Sequence, residues 1–287
     1  MPKLQVDFLH IGLHKTASTY LQKIFFPNIK DLVVLNNIST EIDTWFVKSF
    51  IDAPSNVFDN FKFIHDFKKK TNIKNINSRL VTCISEENLS GNIYTGDNMI
   101  EICNRIHNSF EPRKILIILR NQVDMLLSLY SNYIHHKGKS NFEKWLNGDA
   151  KKLQLLINKL NYSNLISLYI KNFGEDKVAI YTYEDIFGAE GISNFLSEFG
   201  LAQNNFSDKR INPGTSLKGN EFLRLLNVLG LPMFKGRQQI GSLFRNTTND
   251  RKIVMDLIPD EINFLFEMNK NIEKDFSLKF NKLYFNI

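Results

Sequence analysis

The stretch that most constrains the fold of this chain is His10-Ile11-Gly12-Leu13-His14-Lys15-Thr16-Ala17-Ser18-Thr19-Tyr20-Leu21. Ahead of it, Leu4, Val6 and Phe8 alternate with polar residues at the period of a strand. Behind it, Tyr20-Leu21-Gln22-Lys23-Ile24-Phe25 reads as helix. A glycine leaving a strand, a lysine three residues on and hydroxyl residues at a helix start make a phosphate cradle. The first N–H groups of a helix lack intrahelical partners, and the helix dipole favours an anion there. Lys15 supplies a point charge, while Thr16, Ser18 and Thr19 supply short donors. The loop of nucleoside triphosphatases needs four residues between its glycine and Gly-Lys-Ser/Thr, whereas only Leu13 and His14 separate Gly12 from Lys15. The same residues would also serve an ordinary strand–loop–helix turn capped by Thr16 or Ser18.

A second strand-to-helix junction lies further along. Lys114-Ile115-Leu116-Ile117-Ile118-Leu119 is the strongest strand pattern in the chain and ends at Arg120-Asn121. An amphipathic helix follows, carrying Val123, Leu126, Leu127, Tyr130 and Ile134. A Mg²⁺-dependent triphosphatase usually has an aspartate at such a strand end. Arginine there points instead to a second anion site, because its planar fork bonds phosphate in bidentate fashion. Ser128 lies two turns into the helix and can look back toward the strand end.

These two junctions resemble the sulfotransferases. The first is similar to their 5′-phosphosulfate loop, Gly-x-x-Lys-Thr-Gly-Thr-Thr, with Ala17 where glycine is common. If that position needs a positive φ, alanine is strained there; if it is helical, alanine is harmless or helpful. The second, Arg120 with Ser128, resembles the family's 3′-phosphate motif. Phe173-Gly174, Lys177-Val178 and Tyr183-Glu184-Asp185 follow a pattern common in bacterial sulfotransferase-like chains, in which Glu184 or Asp185 would cap the next helix.

The resemblance runs from the N-terminal loop to about residue 186. It implies an α/β fold, a P-loop-type three-layer α/β/α arrangement with a central, mainly parallel sheet of about five strands. We read a single domain over 1–287, with the core at 1–186 and a helical and loop portion at 187–287 packed on it. The implied donor is 3′-phosphoadenosine 5′-phosphosulfate (PAPS), leaving 3′-phosphoadenosine 5′-phosphate (PAP), with no metal. Gly12, His14, Lys15, Thr16, Ala17, Ser18 and Thr19 would hold its 5′ end, with Lys15 stabilising the leaving group. Arg120 and Ser128 would hold the 3′-phosphate. Many sulfotransferases fold a late basic loop over the nucleotide, and Arg237 and Arg245 are the candidates here. For the base, Glu87 in Ser85-Glu86-Glu87-Asn88-Leu89 matches the glutamate of the bacterial Ser-x-Glu-Asn pattern. Glu86 is its rival, and neighbouring carboxylates on an extended chain point to opposite sides. His135 and His136 are substrate-contact candidates at the end of the amphipathic helix, where cations are ordinarily found, with Gly138 as the stop.

The formal charge of +6 and the isoelectric point near 9.1 suit an anionic ligand without naming it. No basic, aromatic-interleaved module for nucleic acid is visible. The apolar run Ile115–Leu119 is too short to span a bilayer, the start carries no secretory pattern, and Cys83 and Cys103 read as reduced thiols. A cytoplasmic enzyme is expected. Other elements read as strands at Leu32–Leu35, Leu80–Ile84 and Lys177–Tyr181. Helices read at 41–75 (ending in the solvated Lys68-Lys69-Lys70), 98–108, 141–172, 192–199 and 218–229. A last helix at 251–272 would pack Ile253, Leu257, Leu265 and Phe266. The acceptor expected is a glycan hydroxyl, with a peptide tyrosine or a small alcohol as alternatives. The competing functions are a Mg²⁺- and ATP-dependent nucleotide kinase on the same cradle and a non-catalytic nucleotide-binding protein.

Overall fold

In the computed structural model, residues 2–37, 40–92, 98–183, 192–201 and 215–230 are described, with positions 250, 253, 254, 256–258, 260 and 272. The strands are β1 (Leu4–Gly12), β2 (Leu32–Val34), β3 (Val81–Glu86), β4 (Phe110–Leu119) and β5 (Val178–Thr182). The helices run α1 (Ser18–Tyr20), α2 (Glu41–Phe46), α3 (Asn60–Thr71), α4 (Met99–Ser109), α5 (Gln122–His135), α6 (Phe142–Asn147) and α7 (Ala150–Leu160). After them come α8 (Tyr162–Phe173), α9 (Ser193–Ser197) and α10 (Leu217–Val228). The chain divides into two compact units, Met1–Leu119 with Tyr162–Asp208, and Arg120–Asn161 with Lys209–Ile287.

The first unit holds one five-stranded sheet of order β2-β3-β1-β4-β5, every neighbouring pair parallel. β3 is buried at every residue, and β4 from Ile115 to Leu119, as expected of central parallel strands covered on both faces. β4 starts four residues before the predicted strand. Glu111, Pro112 and Arg113 hide its beginning in the sequence, yet Leu4 pairs with Phe110 and Val6 with Pro112. On one face, Phe8, Cys83, Leu116 and Ile118 pack against Leu21, Phe25 and Phe26 after α1 and against Phe195 and Leu196 of α9. A separate cluster of phenylalanine rings joins Phe46, Phe50, Phe63 and Phe67 to Phe110 at the start of β4.

The predicted helix at 41–75 is broken in the structure. α2 runs on into wider π turns at Val47–Ile51, and α3 begins only after Asp59, whose carboxylate accepts the Phe61 and Lys62 N–H groups. Buried Arg105 of α4 closes the gap by donating to the carbonyls of Phe50 and Ala53. Lys69 and Lys70 at the end of α3 are exposed, with Lys70 lying over the Trp45 ring.

In the second unit, Asn121 caps α5 by accepting the Val123 and Asp124 N–H groups. The helix ends in a Schellman motif: Gly138 N–H reaches the Tyr133 carbonyl and Lys137 N–H the Ile134 carbonyl. The left-handed residue there is Lys137, at φ 67°, and not Gly138. Glycine is required at 138 for space instead, since a Cβ would lie 2.3 Å from the Tyr133 ring. α10 is tied to this end of α5 through Asn227, which donates to the carbonyls of Ile134 and Gly138. Among the described residues of the 251–272 region, Val254, Ile258 and Ile272 are buried, Leu257 is half-buried and Ile253 is exposed. Leu265 and Phe266 lie outside the described residues, as do Glu184 and Asp185.

Candidate functional site

The register of the sheet brings the predicted residues of the first unit to one edge. Ile11 pairs with Glu86 and Gly12 with Ile118, so β1, β3 and β4 end side by side. The chain leaves β1 toward β2 and leaves β3 in the opposite direction toward β4. The crevice between β1 and β3 is thus a topological switch point, where open α/β sheets hold their ligands.

Gly12 sits in this crevice because nothing larger fits. A Cβ there would lie 2.5 Å from Ser18 Oγ, 3.1 Å from Glu87 Cα and 3.3 Å from Glu87 Cβ. The loop beyond is tightly wound. Lys15 (φ 68°) and Ala17 (φ 63°, ψ 19°) are both left-handed, and alternation of left-handed with ordinary residues is the backbone pattern of anion-binding nests. Position 17 is therefore the one that favours glycine, and the chain carries alanine there at a cost. Two of the three hydroxyl groups expected as donors bond within the loop. Buried Thr16 donates its hydroxyl to the Leu13 carbonyl, and Ser18 Oγ reaches the same oxygen at 3.3 Å. They close the loop on itself, while Lys15 and Thr19 are half-buried. α1 is a single turn, continued by π turns at Leu21–Phe25 and by a 3₁₀ turn at Phe26–Asn28 that holds Pro27.

Glu86 and Glu87 differ in burial, although the chain is not extended through both as expected: Glu86 ends β3 and Glu87 opens a 3₁₀ turn at Glu87–Ser90. Glu87 is half-buried with its backbone against Gly12. Glu86 is buried, and its Oε1 accepts the backbone N–H of Asn88 at 3.0 Å and the Asn88 side-chain amide at 2.6 Å. Burial pushes its carboxyl up to about 7 against the lowering effect of those Asn88 bonds, with Asp43 and Glu87 adding to the rise. Asn88 also faces the cradle, its Oδ1 lying 3.1 Å from His14 Nε2.

Around this pair the sequence reading missed a polar shell. Gln22 and Asn36 both donate to the Ser85 carbonyl, at 2.8 and 3.1 Å, and Asn36 accepts the Ser85 N–H. His10 on β1 is fully buried with Nδ1 2.7 Å from Ser85 Oγ, and burial lowers its pKa to about 3, so the ring is neutral. Asn88 was legible as the last residue of Ser-x-Glu-Asn. Gln22 and Asn36 carried no signal beyond being amides in apolar surroundings.

The remaining candidates belong to the second unit. Arg120 is half-buried one residue before the Asn121 cap, and Ser128 is half-buried on α5. His135 ends the same 14-residue helix, some 20 Å along its axis from Arg120, and His136 Nδ1 donates to the Asn132 carbonyl at 2.8 Å. The structure therefore separates the two histidines from Arg120. Arg237 and Arg245 lie outside the described residues. No described helix is long and apolar enough to cross a membrane.

Sheet order and loop geometry together define an α/β protein of the P-loop kind, with a tightly wound loop after its first strand. A solved structure described as a sulfotransferase from Alicyclobacillus acidocaldarius shares the fold. Its TM-score is 0.51 at 15% identity, and the match covers 79% of this chain and 97% of that one. At that identity the likeness is one of fold. No protein-family model matches the chain, and no curated protein matches it at a significant level.

Proposed function

We propose that this protein is a sulfotransferase that uses PAPS as donor and releases PAP. The observation that carries the reading is the cradle itself. A glycine with no room for a Cβ, a left-handed lysine and a strand-end glutamate meet at a switch point of a sheet whose fold a solved sulfotransferase shares. When bound, the donor supplies a sulfuryl group for in-line transfer to a hydroxyl. Lys15, with the loop N–H groups, offsets the negative charge that develops on the leaving oxygen, the largest electrostatic contribution such a site makes. Glu87 takes the proton of the acceptor hydroxyl. Arg120 and Ser128 hold the 3′-phosphate, with Arg237 and Arg245 as further phosphate contacts, and both units serve one functional domain. The acceptor is a hydroxyl of a glycan, with tyrosine or a small alcohol as the second choice, and the reaction takes place in the cytoplasm without a metal.

Labelled donor offered with a panel of glycans, peptides and phenols tests this directly. Lys15→Ala and Arg120→Ala each abolish donor binding or turnover, and Glu87→Gln keeps donor binding while turnover is lost. Sulfation by Glu87→Gln at the wild-type rate would remove Glu87 from its role. Phosphoryl transfer from ATP with Mg²⁺, and no sulfation, would establish the kinase reading in its place.

A further inference from the structure

The bonds around Asn88 have a consequence for the cradle. An amide has one donor end and one acceptor end. The Asn88 Nδ2 end is committed to Glu86 Oε1 at 2.6 Å, and the same oxygen takes the Asn88 backbone N–H at 3.0 Å. Reversing the amide would set its oxygen against a carboxylate oxygen at that distance. Asn88 Oδ1 is thereby turned to His14, 3.1 Å from Nε2, and an acceptor there requires that Nε2 carry a proton. In a neutral imidazole the other nitrogen, Nδ1, is then the acceptor. His14 is buried in the loop one residue before Lys15, so the ring state bears on the cradle directly.

We propose that Glu86 is a positioning residue: acting through Asn88, it holds His14 in the Nε2–H tautomer and fixes Nδ1 as the acceptor nitrogen of the anion-binding loop. Glu87, whose backbone meets Gly12, does the chemistry, and Glu86 sets the shape and hydrogen-bonding character of the loop from behind. The arrangement parallels the way an outer carboxylate fixes the tautomer of a ligating histidine in metal sites. Only its consequence for donor affinity rests on the sulfotransferase reading; the tautomer itself does not.

The test is a long-range ¹H–¹⁵N correlation spectrum of the full chain labelled at histidine, recorded near pH 8.5, where neutral imidazole dominates. The His14 signals are identified by their absence from His14→Gln. A protonated Nε2 with an unprotonated Nδ1 is expected in the wild type. Glu86→Gln keeps that pattern, because its amide oxygen still accepts from Asn88, whereas Glu86→Leu loses it to a mixture of tautomers. PAP affinity is expected to fall about tenfold in Glu86→Leu, the loss of one hydrogen-bonded restraint, and to recover in Glu86→Gln. An Nδ1–H tautomer, or a ring protonated on both nitrogens, in the wild type overturns the proposal. So does a pattern unchanged in Glu86→Leu, and should that variant not fold, the wild-type spectrum still decides. A wild type that shows the expected tautomer yet binds no PAP leaves the positioning role standing and removes the sulfotransferase reading alone.

Discussion

Replacing Ala17 by glycine should make this protein more stable, the reverse of what glycine does in a helix. Ala17 precedes α1 at φ 63° and ψ 19°, with no side-chain cap. A left-handed conformation costs an L-residue about 1–2 kcal/mol, and glycine is relieved of it. Against this gain, glycine has more freedom to lose from the unfolded chain, about 0.4–1 kcal/mol. The methyl group is half-buried against the cluster around Phe8 and Leu21, and losing part of one buried methyl costs about 0.4 kcal/mol. The balance is a stabilisation of about 0.5 kcal/mol. Urea unfolding followed by far-ultraviolet circular dichroism measures it as a rise in midpoint at unchanged slope. Ala17→Val is the control, because a β-branched side chain at positive φ is disfavoured further, and it should lower the midpoint. A loss of about 1 kcal/mol in Ala17→Gly, the penalty for glycine in a helix interior, would refute the left-handed assignment and the loop geometry that depends on it.

Two further outcomes follow from the same crevice. Gly12→Ala places a Cβ 3.1 Å from Glu87 Cα, which is backbone and cannot rotate aside. It should cost about 1–3 kcal/mol of stability, as overpacking does, and weaken binding at the cradle, both readable by thermal unfolding with and without PAP. The second outcome concerns pH. Glu86 is raised to about 7 from an ordinary 4.5, so between those values the folded state holds a proton that the unfolded state has released. Its contribution therefore declines as pH rises through that window, by on the order of 3 kcal/mol. His10, lowered to about 3, works in the opposite sense: its neutral form favours the fold above about 6.5, and this is lost as pH falls toward about 3. Subtracting wild type from Glu86→Gln cancels the histidine. The variant should match wild type near pH 4.5 and exceed it at pH 8, and a difference independent of pH would contradict the assignment.

Much of the cradle was legible because its constraints are local. Gly12, Lys15 and the hydroxyl run lie within eight residues, and strand and helix periods flank them. The parallel sheet was legible from the apolar runs of β3 and β4, since strands covered on both faces need no alternation. What stayed hidden depends on contacts between distant segments. The Gln22 and Asn36 bonds to Ser85, 63 and 49 residues away, follow from no spacing. The difference between Glu86 and Glu87 was not legible in the sequence, which offered them as rivals; burial and the Asn88 bonds set Glu86 apart. The start of β4 was obscured by Pro112, and the αL residue after α5 by the more suggestive Gly138 beside Lys137.

The central claim is that the loop after β1 grips the phosphate of a bisphosphorylated adenosine. It is tested most directly by thermal unfolding of the wild type and Lys15→Ala in rising concentrations of PAP. Saturating nucleotide at about one hundred times its dissociation constant stabilises the folded state by about 2.7 kcal/mol. The account predicts that rise in the wild type and none in Lys15→Ala. An unmoved wild-type midpoint, or equal stabilisation of both proteins, would contradict it.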